Sequence, residues 1–326
     1  MPHLSGRRAA CAALLALPFA ASRAQAEFPD KPVRLVVGFG PGTGSDIHGR
    51  VVAEAMAREL KVPVVVENRP GAAGMLAAAS VAGATPDGYT LLFGTTTMLV
   101  TLPMMSSNAK YDGVRDFVPV GSMGKAPFVV VVPNRPGTPA TLRDLLAATR
   151  GGNSPSYGSL GNGSFGHLAT LRILQQVGGQ ALHVPYKSSA QELQDLAAGQ
   201  LNFVIDSIPA TQSLIRSGLL RPLAVTTRAR VASLPDVPTV AEVLGTDFEH
   251  VVWSGLMAPR GTPAPVVQRL WTALKAAQET TEVQTRFASM QLVPFAVDSQ
   301  ALVQHIRSEV PSWQAFFQKT GIRIEE

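Results

Sequence analysis

The loop Gly40-Pro41-Gly42-Thr43-Gly44-Ser45-Asp46 has the composition and setting of an anion seat. An apolar, β-branched run at residues 33–37 precedes it, and apolar residues recur after it at Ile47, Val51, Val52, Ala55 and Met56, which is helical spacing. A strand that stops at a glycine-rich loop and restarts as a helix aims unpaired backbone N–H groups and the positive end of the helix dipole at one point in solvent. Phe39, Gly42, Thr43, Gly44, Ser45 and Asp46 are therefore candidate ligand contacts, with Ser45 or Asp46 capping the helix. Asp46 suits an orienting role better than direct contact, because a carboxylate facing an anion is repulsive. A second loop, Ser159-Leu160-Gly161-Asn162-Gly163-Ser164, opens a predicted helix over 165–177 in the same way and adds Ser159, Asn162, Gly163 and Ser164. Gly42 and Gly163 are expected to put backbone donors against an anion without a committed arginine. Thr95, Thr96 and Thr97 offer three hydroxyls where a β-rich run over 89–93 ends, and Tyr186 and Asp206 stand at the ends of two more such runs.

Other chemistries fit less well. Gly161-x-Gly163-x-x-Gly166 has the spacing of a dinucleotide fingerprint, but no acidic residue follows about 20 positions on, near residues 185–187. Ser164 lies in Asn162-Gly163-Ser164-Phe165-Gly166, which lacks the first glycine of a nucleophile elbow. His48, His167, His183, His250 and His305 form no H-x-x-x-H or H-E-x-x-H pattern, and no G-x-x-x-x-G-K-[ST] occurs. No catalytic residue, metal or cofactor is expected. His167, on a helix face with Leu171 and Leu174, reads as a core or helix-cap histidine, and Arg69 as a scaffold residue pairing locally.

The elements that must position these residues alternate. Short β-rich runs alternate with helical patterns at 46–60, 75–84, 142–150, 165–177, 190–198, 211–216, 265–278, 283–290 and 301–318, the last interrupted near Pro311. Strand, loop and helix in repetition predict α/β architecture with parallel sheets and ligands beyond the carboxyl ends of the strands. Two β-rich runs, 118–121 and 128–132, are joined by residues 122–127 with no helix between them, as expected where a chain leaves one lobe for another. The run at 251–258 reads as the return. The expected organisation is a discontinuous lobe 1, residues 27–124 and 251–326, and a lobe 2 of residues 125–250, hinged around a cleft.

Residues 1–26 read as an export signal: Arg7 and Arg8, an apolar stretch from Ala9 to Ala21 too short to span a bilayer, and Ala24-Gln25-Ala26 as a cleavage site after Ala26. Cys11, the sole cysteine, falls too early for lipidation at that site. The whole chain carries 28 Lys and Arg against 23 Asp and Glu, and removing the signal brings the net charge from +5 to about +2. With no basic tract, nucleic acid is not an expected partner.

Six motifs in order carry a family resemblance: Glu67-Asn68-Arg69-Pro70-Gly71-Ala72-Ala73-Gly74, Pro86-Asp87-Gly88-Tyr89-Thr90-Leu91-Leu92, Tyr157-Gly158-Ser159, His183-Val184-Pro185-Tyr186-Lys187, the Leu234 to Glu242 segment and Trp253-Ser254-Gly255-Leu256-Met257-Ala258-Pro259. The chain resembles Bug proteins, periplasmic substrate-binding receptors associated with tripartite tricarboxylate transporters. The resemblance implies a two-lobed type II periplasmic-binding-protein fold, a carboxylate-bearing ligand held between the lobes partly through ordered water, and membrane transporter subunits as partners; the protein is expected to be a monomer. The ligand classes it admits are dicarboxylates, tricarboxylates, amino acids and aromatic acids. A sensory input domain and a secreted hydrolase are the alternatives. Gly42-Thr43-Gly44 departs from the Pro-Gly-Gly-Ser/Thr-Thr-Asp pattern that many members resemble at the first loop.

Overall fold

The computed structural model describes residues 28–152 and 154–322, so the expected export signal lies outside the described residues. The chain begins with β1 (Val33–Val37), α1 (Gly44–Leu60), β2 (Val64–Asn68), a 3-10 turn (Ala72–Gly74), α2 (Met75–Ala82) and β3 (Thr90–Thr95). A π-helical turn (Thr97–Thr101), α3 (Leu102–Met105) and β4 (Phe117–Ala126) follow. The next segment carries β5 (Phe128–Pro133), α4 (Leu142–Ala148), β6 (Ser156–Ser159), α5 (Phe165–Val177), β7 (Leu182–Pro185), α6 (Ser189–Ala198), β8 (Phe203–Ser207), α7 (Ile208–Arg216), β9 (Leu220–Val225) and α8 (Val240–Leu244). It returns through β10 (Val252–Pro259) to α9 (Ala264–Glu279), α10 (Thr281–Ser289) and α11 (Ser299–Thr320).

These strands form two five-stranded sheets, ordered β2-β1-β3-β10-β4 and β7-β6-β8-β5-β9. The first is flanked by two apolar layers. Val51, Val52, Ala55 and Met56 of α1 pack with Leu270 and Leu274 of α9 on one face, whereas Ala77, Ala78 and Val81 of α2 join Leu302 and Ile306 of α11 on the other. Trp253 is 1% exposed, and its Nε1 donates to Glu309 Oε2 at 2.8 Å, which ties β10 to α11.

Three features differ from the sequence reading. Both sheets are mixed: β10 runs antiparallel to β3 and β4, and β5 antiparallel to β8 and β9. A strand that arrives from the other sheet needs no βα crossover, so the rule that makes crossover-linked strands parallel does not bind it. Secondly, residues 122–126 are not a loop. β4 continues to Ala126, paired with Val252, so Pro127 alone separates it from β5. Gly121 and Gly124 look like turn residues, but Gly124 (φ +141°) lies in a strand whose pairing slips at Ser254/Gly255, and bulged positions accept glycine. Thirdly, α11 runs unbroken through Pro311. Proline there forfeits one backbone bond, and burial of Leu302, Ile306 and Trp313 holds the helix together around it.

Among the described residues no helix is long and apolar enough to cross a membrane.

Candidate functional site

The first loop folds by local hydrogen bonding. Thr43, rather than Ser45 or Asp46, is the N-cap of α1: its Oγ1 accepts from the Asp46 N–H at 3.3 Å and donates to Gly40 O at 2.9 Å. Asp46 reaches back. Its Oδ2 accepts from the Gly42 N–H at 2.9 Å and from Arg50 Nε at 3.1 Å, and its Oδ1 from Asn68 Nδ2 at 2.9 Å. Asn68 Nδ2 also donates to Phe39 O, which clamps the loop to β2. Burial alone would raise the Asp46 pKa, but the bonds from Arg50, Gly42 and Asn68 together hold it below the usual carboxylate range. The helix starts at Gly44, two residues before the sequence reading put it, so the N–H groups of Gly44 and Ser45 precede the first intrahelical donor, Ile47 N to Thr43 O at 3.0 Å.

Those two residues face a cavity of about 60 Å³ between the sheets, several times the ~10–15 Å³ that one ordered water needs. From the first sheet and its helices Phe39, Thr43, Gly44, Ser45, Thr95 and Thr97 line it. Ser164 and Asp206 line it from the other side. The remaining candidates lie outside the lining. Gly42 is exposed with its N–H spent on Asp46, and Thr96 is buried behind the wall. Ser159 Oγ is occupied with His183 Nε2 at 2.6 Å, Asn162 faces solvent, and Tyr186 Oη donates to Asp195 Oδ2 at 2.9 Å. The Gly163 N–H donates to His167 Nδ1 at 3.1 Å, so it is committed within the protein. Gly42 and Gly163 are required for their positive φ, +80° and +76°, and not for open N–H groups.

The part of the second loop that lines the cavity therefore lies a few residues further along than expected. Ser164 is the N-cap of α5, its buried Oγ has no hydrogen-bond partner among the described residues, and Phe165 and Gly166 of the first turn line the cavity with it. Gly166 is glycine because a Cβ would come within 2.4 Å of Ile205 O, so α5 can dock directly on β8. A third helix N-terminus, not anticipated, comes from α7: Ser207 is its N-cap and Pro209 lies in its first turn, and both line the cavity. Ser followed by Pro within the first turn is a readable start signal that the reading from 211 onward missed.

The remaining lining is mostly apolar, including Phe93, Phe128, Val252, Met290 and Leu292, and among the described residues it contains no Lys or Arg. His48 also reaches it, edge-on to Phe93 (ring centroids 5.3 Å apart) and to Phe287 (5.0 Å). Burial lowers its pKa to about 4, so the ring is neutral near pH 7. Two acids, Glu192 and Asp206, complete the wall. Among the described residues no group of three or more His, Cys, Asp or Glu could hold a metal ion.

The walls also touch. A Cβ on Gly44 would stand 2.4 Å from Ser207 Oγ and 2.8 Å from Ser207 Cβ, so the starts of α1 and α7 abut across the cleft. Arg172 of α5 lies 5.6 Å from the Trp313 ring of α11, and the Ser233 N–H donates to Gln291 Oε1 at 3.2 Å. This is a closed arrangement.

Two mixed α/β lobes closing on a cavity lined by helix N-termini define a two-lobed periplasmic binding protein. The profile of the family described as "Tripartite tricarboxylate transporter family receptor" matches residues 49–322, and the chain belongs to that family. A curated relative from Agrobacterium vitis, "UPF0065 protein in the TAR-I ttuE-ttuC' intergenic region", is 37% identical over 90% of this chain and 85% of its own. The solved structure of periplasmic binding protein BugD is 31% identical, with a TM-score of 0.86 over 91% of this chain and 99% of that one. An R. palustris protein solved with adipate is 32% identical, with a TM-score of 0.86 over the same 91% and 99%. The resemblance to Bug receptors and the two-lobed fold it implied are borne out.

Proposed function

We propose that this receptor captures a small organic acid in the interlobe cleft and presents it to the membrane subunits of a tripartite tricarboxylate-type transporter. The observation that carries the reading is the convergence of three helix N-termini, those of α1, α5 and α7, on one cavity lined without a cationic side chain. Aligned N–H groups and hydroxyls stabilise a carboxylate without the desolvation cost of burying a side-chain cation. The contacts are Gly44 and Ser45 with the Thr43 cap, Thr95 and Thr97, and Ser164, Phe165, Gly166 and Ser207. The adipate bound to the R. palustris neighbour supports an acid as the ligand.

The protein works as a monomeric receptor rather than an enzyme, exported by residues 1–26 with cleavage after Ala26. Its lobes, residues 27–124 with 251–326 and residues 125–250, open and close about the β4–β5 and β9–β10 connections. Differential affinity for the closed state drives the motion, since a ligand that bound both states equally would shift nothing.

The test is a thermal-shift screen of an organic-acid library on protein unfolded, dialysed and refolded to remove any co-purified ligand. An acid at about 100 times its Kd should raise stability by about 2.7 kcal/mol and compact the molecule in small-angle scattering. A library without one stabilising acid, or a binder that leaves the scattering profile unchanged, overturns the reading.

A further inference from the structure

Glu192 is buried to 1% exposure on α6, lines the cavity, and has no hydrogen-bond partner for either carboxyl oxygen among the described residues. The fold makes room for it there. On β6, a Cβ at Gly158 would come within 2.9 Å of Glu192 Cγ and Oε1, so the glycine opens the space that the carboxyl occupies. Asp206, 5% exposed at the end of β8, stands on the same wall and is held by Ser189 Oγ at 2.7 Å and by the Ser207 N–H at 2.6 Å. An isolated buried carboxyl is costly, and a group of this kind is kept where something else completes it. No Lys or Arg of the described lining can do so.

We infer that Glu192, supported by Asp206, is the seat for a protonated amine of the ligand, so that the acid this receptor carries is an amino-bearing one. The inference rests on the carboxylate-receptor reading and narrows it. A zwitterion matches the two kinds of wall: its carboxylate meets the helix N-termini and its ammonium meets the acid pair. A plain dicarboxylate would bring a second negative charge toward two acids, and both would have to remain protonated. Burial, and then the neighbouring Asp206, push the Glu192 pKa well above the usual carboxylate range. Burial also raises that of Asp206, against the opposing bonds from Ser189 and Ser207. An ammonium arriving between them reverses this balance, and Glu192 gives up its proton as the ion pair forms.

The experiment is titration calorimetry on the mature protein with acids matched in skeleton: propionate and L-alanine, succinate and L-aspartate, adipate and L-2-aminoadipate, 3-phenylpropionate and L-phenylalanine. In the pair whose skeleton fits, the amino member should bind at least tenfold more tightly. Its binding should release a proton near pH 7, read from the dependence of the heat on buffer ionisation enthalpy. In Glu192→Gln, an isosteric change whose folding is checked by circular dichroism, the preference should fall to threefold or less. An amino-free acid that binds as tightly as its partner in the wild type, or with proton uptake, overturns the inference and leaves the carboxylate reading standing. A preference that survives in folded Glu192→Gln overturns it as well. If no acid of either kind binds, the carboxylate reading itself has failed, and the inference falls with it.

Discussion

Gly44→Ala is expected to lower affinity for the cognate acid at least tenfold, about 1.4 kcal/mol, while leaving the fold as stable as before or more so. The two effects have opposite signs for separate reasons. Alanine is favoured over glycine inside a helix by roughly 0.5–1 kcal/mol, and Gly44 is not among the residues with positive φ. Across the cleft, however, the added methyl would meet Ser207 Oγ at 2.4 Å and Ser207 Cβ at 2.8 Å. The hydroxyl can rotate away, but the Cβ is fixed on the backbone at the start of α7, so the lobes must part. Calorimetry, thermal melts and small-angle scattering check this together: weaker binding, an unchanged or raised melting temperature, and a ligand-bound form that stays expanded. Ser207→Gly in the same chain should recover part of the lost affinity, because residues in contact couple. Wild-type affinity in Gly44→Ala would show that closure does not bring these two helix starts together.

The second large effect is acid lability, to which one buried histidine makes a separable contribution. The His48 pKa falls from 6.5 to about 4 through burial. Below pH 6.5 the unfolded chain takes up a proton there and the folded chain does not, so stability is lost as pH falls from 6.5 toward 4. The loss from this group reaches about 3 kcal/mol at the lower limit. His167, lowered to about 3 by burial and by His183, and His183, lowered to about 4 by burial, act in the same direction. So does Asp46, whose lowered pKa contributes stability that disappears as its carboxylate protonates. Glu192 and Asp206 work the other way: their raised pKa values penalise the folded state at neutral pH, and acid relieves the penalty. A comparison with His48→Gln separates one histidine from this sum. Denaturant titrations at pH 7 and pH 4.5 should show a smaller drop in stability for the variant, by roughly 2–3 kcal/mol. Equal drops in the two proteins would mean that His48 is not kept neutral by burial.

The glycine loops, the alternation of strand and helix, and the six motifs were legible because each depends on local chemistry. Gly42 and Gly163 do occupy positive φ, and the residues 165–177 read as a helix are α5 as observed. His167, read as a core or helix-cap histidine, is a cap, since its Nδ1 accepts from the Gly163 N–H in the first turn of α5. Arg69 pairs locally with Glu67. What could not be read locally is which N–H groups remain open. Asp46 and His167 are each four residues from the glycine whose N–H they accept, and they remove from the site the two donors that the sequence offered first.

Local spacing determined the α/β class and the glycine loops that open helices, because these follow from backbone geometry over a few turns, and six motifs in order carried the family resemblance. The tertiary structure alone decided which residues face one another. Gly44 meets Ser207, Gly166 admits β8, and Gly158 leaves space for Glu192. Each pair joins elements far apart in the chain. The space between them is set by how the strands and helices pack, and no period or motif in the sequence encodes that distance.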